Sequence, residues 1–544
     1  MKNKQYPLYE WKKLNNLREL VNFSANKYKN NIAYTYRDNN DQIIEVTFQQ
    51  FKKDVINLGN YLLNNGIKNK HISLCSENSY QWIVTYFAVV NTGNVIVPID
   101  KELTAEEVME IIIDSDSSIL FYSENMADKV NKFAKDTPKL KLKLELSKLD
   151  KYINEGAIFT KNANKYQTLK LNNEKMCSLL FTSGTTGKPK GVMLSHKSIM
   201  AATVNSCKNV RFSTRTLLVL PLHHSFGFTG AIAMMLMQGD NVVINRGLKE
   251  FAKDMKEFKP VNMLLVPLFI ESLKNQILLG AKKQGKEASL QKAMKLSLFL
   301  YKMGIDIRRK IFKSVLDNFG GELKFVISGA APLEPSLIEF FRAIGIDVRQ
   351  GYGVTECSPV IAVCRNNYYR DTSIGLPIPG VKTKIVNPDE NGFGDLHVKG
   401  AIVMLGYYKN KKATSKVIND GWFNTEDICK IDQDGFLYIN GRHKNLIILS
   451  NGKNVSAEEL ELKINKLEGV KEVIVVGDSQ KDNKVIIAKI FPDYDKYKNI
   501  KLAEKDLTQK INNLNEELAI YKRIQKIEIM TKEFPKTTTK KIKR

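Results

Sequence analysis

Leu180-Phe181-Thr182-Ser183-Gly184-Thr185-Thr186-Gly187-Lys188-Pro189-Lys190-Gly191 is the stretch from which the rest of the chain is read. An apolar, strand-like run leads into it, and Val192-Met193 leads out to a Ser195-His196 pair suited to capping a helix. Its glycines let backbone N–H groups approach an anion closely, and its hydroxyls add donors. Lys188 and Lys190 bring positive charge for phosphate oxygens. The loop reads as a phosphate cradle. It is not a Walker A loop, because Lys188 is followed by Pro189 where that motif needs Ser or Thr.

At 544 residues the chain exceeds one ordinary hydrophobic core, so two or more domains are expected. Its 43% hydrophobic and 26% charged residues are those of a globular protein. The polar start lacks the apolar segment of a signal peptide, and the longest apolar run, Trp82 to Ile99, is broken by Asn91, Gly93 and Asn94. The six cysteines are scattered without CxxC spacing or a His cluster, which points away from zinc and from a disulfide framework and fits a reducing cytoplasm. A net charge of +25 invites an anionic partner. The lysines are spread along the chain and do not interleave with aromatics as a nucleic-acid groove requires, so nucleic acid is not expected. Anionic nucleotides gain from the same field.

Residues 17–170 alternate between helical and strand patterns. Phe51, Val55, Leu58, Tyr61 and Leu62 fall on one helical face, His71–Cys75 and Val95–Ile99 read as strands, and Thr104-Ala105-Glu106-Glu107 reads as a capping box. This alternation implies a largely parallel sheet covered on both faces. Downstream, Leu323 to Ser328 is a strand ending in the small-residue turn Gly329-Ala330-Ala331, which leaves room for a flat ring. In Gln350-Gly351-Tyr352-Gly353-Val354-Thr355-Glu356, Tyr352 between two glycines suits stacking on a purine. Thr355 suits a phosphate, and Glu356 is a hard oxygen ligand for Mg²⁺. The paired His223-His224 lack a third ligand nearby, so zinc is rejected there. Between Gly280 and Gly320, Lys282, Lys283, Lys286, Lys292, Lys295, Lys302, Arg308, Arg309, Lys310 and Lys313 alternate with apolar residues. Such a basic amphipathic segment either lies on an anionic bilayer or packs as a solvated helix on its own domain.

These motifs, in this order and over nearly the whole chain, resemble the adenylate-forming superfamily of acyl-CoA synthetases, adenylation domains and luciferases. The resemblance implies an α/β fold. A large N-terminal domain of several subdomains, with mixed sheets flanked by helices, would span 1–442, and a small mobile C-terminal α+β domain would span 443–544. It implies ATP contacts from Thr182, Ser183, Gly184, Thr185, Thr186, Gly187 and Lys188, an adenine site along Gly329, Ala330 and Ala331, and nucleotide contacts from Gln350, Gly351, Tyr352, Gly353 and Thr355. Glu356 would hold Mg²⁺. Asp427 would accept the ribose hydroxyls, and Arg442 would reach the ribose or a phosphate. His224 would lie near the substrate carboxylate, Lys444 at a hinge, and Gly452 along the coenzyme A tunnel. The tail Pro535-Lys536-Thr537-Thr538-Thr539-Lys540-Lys541-Ile542-Lys543-Arg544 resembles the family's closing motif, with Lys541 in register as the catalytic lysine. Two positions depart from the family spelling: Glu426 and Lys540 stand where glycine is usual.

The implied reaction is ATP-dependent transfer of a carboxylate to AMP, followed by transfer to the thiol of coenzyme A. The basic 280–320 insertion and the Asn451-Gly452-Lys453-Asn454 loop resemble the long-chain acyl branch, so a medium- or long-chain fatty acid is expected. Other carboxylates stay open, because one methylene in an apolar pocket discriminates by only about 1–3 kcal/mol. The alternatives are a ligase that loads a separate acyl-carrier protein, an aryl-acid ligase, and a non-catalytic nucleotide- or lipid-binding paralogue. A stand-alone cytoplasmic enzyme without an appended carrier domain is expected, with peripheral contact to an anionic membrane left open. A Ser-His hydrolase is disfavoured, since Ser195 and His196 are neighbours and no Gly-x-Ser-x-Gly elbow occurs.

Overall fold

The run Val95–Ile99 is buried at every position, as a strand covered on both faces must be. The computed structural model describes residues 8–133, 136–162, 164–182, 189–442, 445–448, 454–480, 483–497, 499–536 and 542. Among these, Val95–Ile99 lies at the centre of a seven-stranded sheet, ordered Gly406–Tyr407, Lys190–Ser195, Met176–Thr182, Val95–Ile99, His71–Cys75, Ile119–Tyr122 and Leu142–Glu145. The five strands from Met176–Thr182 onward are parallel, and the other two join antiparallel at one edge. A second, nine-stranded sheet runs Leu376–Pro377, Val360–Val363, Asp347–Gly353, Phe325–Ser328, Asn262–Leu265, Arg215–Leu218, Asn241–Ile244, Ile32–Arg37 and Ile43–Thr47. Its interior is parallel and its ends are antiparallel.

The helices form where the local signals place them. In Phe48–Asn64 the predicted face buries Phe51, Val55, Leu58 and Leu62, with Tyr61 half-buried. Thr104 and Glu107 make the reciprocal capping box at the start of Ala105–Asp114. Ser195 caps His196–Asn209 together with Ser198. Ser456-Ala457-Glu458-Glu459 also has capping-box spacing, but only half of that box forms. The hydroxyl accepts from Glu459 N at 3.2 Å, but the Glu459 carboxylate receives the Lys522 ammonium at 2.7 and 2.8 Å. A nearby full charge outcompetes one backbone donor.

The basic segment becomes the helices Pro267–Lys283, Glu287–Lys302, Arg308–Ile311 and Lys313–Asp317. Their inner side joins the hydrophobic core through Leu273, Ile277, Leu290, Phe312 and Leu316, and Ser297 donates to Ala343 O at 2.8 Å. The segment therefore packs on its own unit, and one face of the 287–302 helix is left outward with Leu296 and Phe299 exposed. Among the described residues no helix is long and apolar enough to cross a membrane.

By packing, the chain divides into one unit of Met1–Lys382 with Val398–Phe423 and a second of Thr383–His397 with Asn424–Arg544. The first unit contains both large sheets. The second holds most of a sheet ordered Lys382–Val386, Gly394–Lys399, Trp422–Ile431 and Ile418–Asn419, with Leu437–Arg442 paired to Trp422–Ile431. It also has an α+β core. There, Val470–Gln480 pairs antiparallel with Asn483–Pro492, which pairs parallel with Lys526–Ile529. The helices Ala457–Ile464 and Ile500–Glu517 cover this sheet through Leu460, Ile464, Leu507 and Ile511.

Candidate active site

Parallel strands present their carboxyl ends at one edge of a sheet, which is where ligands collect in α/β folds. Phe325–Ser328 pairs in parallel with Asp347–Gly353, with Ser328 opposite Gln350, so the turns that follow both strands emerge side by side. The first is Gly329-Ala330-Ala331, with Gly329 buried and the two alanines exposed. The second carries Thr355 and Glu356, and Tyr352 stands near the end of the strand before it; all three are half-buried. The loop after Arg215–Leu218, in the same sheet, brings His224. These groups meet in the first unit: Ser225 Oγ lies 3.3 Å from Thr355 Oγ1, and a Cβ on Gly329 would come within 2.9 Å of Phe226.

His224 is buried. Loss of solvent pushes its imidazole down to about 3, and the adjacent His223 adds to the effect, so it is neutral at physiological pH. His223 Nε2 is 3.5 Å from Asp100 Oδ2. His224 and Ser225 line a narrow recess with Tyr86, Leu180, Leu194, Ile199, Leu222, Phe228 and Thr229. Tyr86 stacks on Phe228 with ring centroids 3.8 Å apart. Sequence reading did not single out Tyr86, whose only signal is its place in a helix, Tyr80–Val90, that is buried at every position but Gln81.

Glu356 Oε1 accepts the Tyr407 hydroxyl at 2.8 Å, and the Lys190 ammonium sits 5.1 Å from the centre of the Tyr407 ring. Tyr407 was also missed. Among the described residues no group of three or more His, Cys, Asp or Glu side chains is placed to hold a metal. A half-buried single carboxylate nonetheless fits Mg²⁺, which keeps several waters and is commonly bound through one or two carboxylates plus substrate phosphates. Gln350 has a second task, since its amide donates to Asp371 O at 2.7 Å and Ser373 O at 3.3 Å, anchoring the loop that follows.

The hairpin that carries the phosphate-cradle motif pairs Thr182 with Lys190. Ser183, Gly184, Thr185, Thr186, Gly187 and Lys188 lie outside the described residues, as do Lys444, Gly452 and Lys541. Ser195 and His196 are structural. His196 Nδ1 accepts from Leu17 N, its Nε2 faces Val90 O at 3.1 Å, and burial pushes it down to about 4.

In the second unit, Asp427 is fully buried and pairs across the sheet with Arg442, whose Nε lies 2.7 Å from Oδ1. Glu426, just before it, has φ +59°, in the left-handed region. The resemblance expects glycine there, and this backbone explains why: an L side chain in that region costs about 1–2 kcal/mol. The tail is tied in at its start, where Phe534 N donates to Glu472 Oε2 at 2.9 Å and Lys536 pairs with Glu472 and Glu533.

The sequence profile of AMP-binding enzymes matches residues 21–408, and that of the AMP-binding enzyme C-terminal domain matches 444–544. The chain is 29% identical to a long-chain-fatty-acid–CoA ligase of Mycobacterium bovis over 433 residues, covering 75% of this chain and 71% of that one. It is 25% identical over 558 residues to a chloroplastic long-chain-fatty-acid–[acyl-carrier-protein] ligase of Arabidopsis thaliana, covering 87% and 75%. A crystal structure of an anthranilate CoA ligase with anthranoyl-AMP superposes with a TM-score of 0.78 at 22% identity, covering 100% of this chain and 97% of that one.

The two glycines flanking Tyr352 differ in what they tolerate. A Cβ on Gly353 would fall 1.8 Å from Pro359 O, a backbone atom, whereas one on Gly351 would find its nearest neighbour at 3.5 Å. Gly353→Ala is expected to destabilise the first unit by about 1–3 kcal/mol, the usual range for an overpacked site. Gly351→Ala should leave its urea midpoint unchanged, and denaturation of both variants side by side checks the asymmetry.

Proposed function

This chain belongs to the AMP-binding enzyme family, and from that premise we propose that it is an AMP-forming acid–thiol ligase that converts a medium- or long-chain fatty acid, with ATP and coenzyme A, to acyl-CoA. The observation that carries the reading is the Ser225–Thr355 contact. It joins the apolar recess at His224 to the turn bearing Glu356, so a carboxylate at the mouth of the recess lies beside a site built for phosphates.

A carboxylate resists thiol attack because its carbonyl carbon is electron-rich and oxide leaves poorly. In the first step the carboxylate oxygen attacks the ATP α-phosphorus and the bond to pyrophosphate breaks. In the second, the thiol of coenzyme A attacks the acyl carbon, loses its proton, and AMP departs. The first step brings two anions together, so positioning and charge neutralisation carry it. Thr182, the Ser183–Lys188 loop, Thr355 and Lys541 supply donors to the phosphates. Gly329, Ala330, Ala331, Gln350, Gly351, Tyr352 and Gly353 form the adenine side, and Asp427 and Arg442 take the ribose. Glu356 would hold Mg²⁺, which when bound would supply further positive charge beside the phosphates. Neutral His224 is suited to orient the carboxylate without pairing to it as an ion. The functional domain boundary falls at 442/443, beside the start of the second matched profile, with Lys444 as the hinge and Gly452 along the thiol's path.

The similarity to an acyl-carrier-protein ligase supports a second reading in which the acceptor thiol belongs to a carrier protein. AMP release with acetate, octanoate, palmitate and benzoate, each with and without coenzyme A, separates the two. Release that needs both palmitate and coenzyme A is expected. Pyrophosphate exchange without thioester would favour the carrier, and no turnover with any acid would leave a binding paralogue. Lys541→Ala is expected to slow adenylation by roughly 10²- to 10³-fold while sparing thioester formation from supplied acyl-adenylate, the range for losing one transition-state donor. Equal survival of both half-reactions would remove Lys541 from the first step.

A cytoplasmic location with peripheral contact to anionic lipid belongs to the same reading. On the outward face of the 287–302 helix, Leu296 and Phe299 are exposed and are flanked by Lys292, Lys295 and Lys302. That pairing of apolar and basic groups suits a bilayer carrying negative headgroups. Phe299→Ser with Leu296→Ser should reduce sedimentation with phosphatidylserine vesicles several-fold and leave turnover of soluble octanoate intact. Unchanged sedimentation would remove this face from membrane contact.

A further inference from the structure

The segment Met404–Lys409 has no part in the scheme above, yet it holds Glu356 at two points. Met404 N donates to Glu356 O at 2.8 Å, and the Tyr407 hydroxyl donates to Glu356 Oε1 at 2.8 Å. The segment is itself built into the edge of the seven-stranded sheet, against the strand that leaves the phosphate-cradle loop. Gly406 pairs with Met193 and Tyr407 with Val192, while Leu405 N donates to Met193 O and Tyr408 N to Gly191 O at 2.9 and 2.7 Å. Tyr407 N donates to Thr414 Oγ1 at 2.9 Å, and its side chain is 7% exposed. On the far side Asp116 pins the next two residues: it accepts the Tyr408 hydroxyl at 2.8 Å and pairs with the Lys409 ammonium at 2.5 Å.

We propose that Tyr407 is a positioning residue for adenylation, acting through Glu356. A carboxylate on a two-methylene stem rotates freely unless something holds it. A buried phenol bonded to Oε1 selects one orientation and leaves Oε2 to face the nucleotide and its cation. Because the ring also lies beneath Lys190, the same residue ties that orientation to the strand emerging from the phosphate loop. Pinned by Asp116 and the sheet edge, the phenol has little freedom of its own, and that rigidity lets it fix another group. The proposal rests on the reading of Glu356 given above.

The test is a cycle of Tyr407→Phe, Glu356→Ala and the double variant, each checked for an unchanged circular dichroism spectrum. Tyr407→Phe keeps the ring under Lys190 and removes only the hydroxyl. It should slow adenylation about 10- to 100-fold, the worth of one hydrogen bond to a charged group. It should leave thioester formation from supplied acyl-adenylate unchanged, and raise the Mg²⁺ concentration needed for half-maximal ATP binding by calorimetry. The double variant should be no slower than Glu356→Ala alone, since the hydroxyl acts only through that carboxylate. A Tyr407→Phe variant indistinguishable from wild type, with Glu356→Ala inactive, overturns the proposal alone. So does a double variant slowed by the product of the single effects, which would mark a general structural role. Full activity of Glu356→Ala would instead overturn the reading of Glu356 and the proposal with it.

Discussion

The parallel pairing of Phe325–Ser328 with Asp347–Gly353 is the constraint from which the candidate site follows. Ser328 lies level with Gln350, so the first strand turns there while the second runs on to Gly353 along the same edge before it turns. The first turn carries Gly329-Ala330-Ala331, and the end of the second strand with its turn carries Tyr352–Glu356. Because Arg215–Leu218 runs parallel in the same sheet, the His224 loop leaves at the same edge. A slip of one residue would send every side chain of the strand to the opposite face and dissolve the arrangement.

Glycine enters this edge for a spatial reason. At Gly353 the chain passes so close to Pro359 O that a Cβ has no room, whereas Gly351 meets only ordinary contacts. At Glu426 the reverse holds, since a backbone suited to glycine carries a charged side chain. That strain sits within the strand Trp422–Ile431, immediately before the fully buried Asp427, which is opposed across the sheet by Arg442, so the irregular backbone is held by its neighbours.

The electrostatics divide along the same lines. The net charge of +25 is distributed over the surface, where it raises the local concentration of anions without choosing among them. Selection belongs to groups fixed by partners or withdrawn in part from solvent. His224 is kept neutral by desolvation, Asp427 is paired with Arg442, and Glu356 is bonded to Tyr407. The lysine-rich 280–320 segment shows both behaviours at once, with its inner side in the core and its outer side free to meet solvent or lipid.

The sequence by itself determined the family, the order of the motifs and most of the local structure. The Phe48–Asn64 helix, the His71–Cys75 and Val95–Ile99 strands and the Thr104 capping box all depend on residues within a few positions of one another, so periodicity and turn chemistry reveal them. Tertiary structure alone decided which distant residues touch. Tyr407 reaches Glu356 across 51 positions of chain, Tyr86 stacks on Phe228 from another helix, and Pro359 returns against Gly353. The Glu459 carboxylate, read locally as half of a capping box, is taken by Lys522 from 63 positions away. Such contacts are set by strand order and register. They leave no periodic trace in either partner, because each residue's own neighbourhood is satisfied by burial alone.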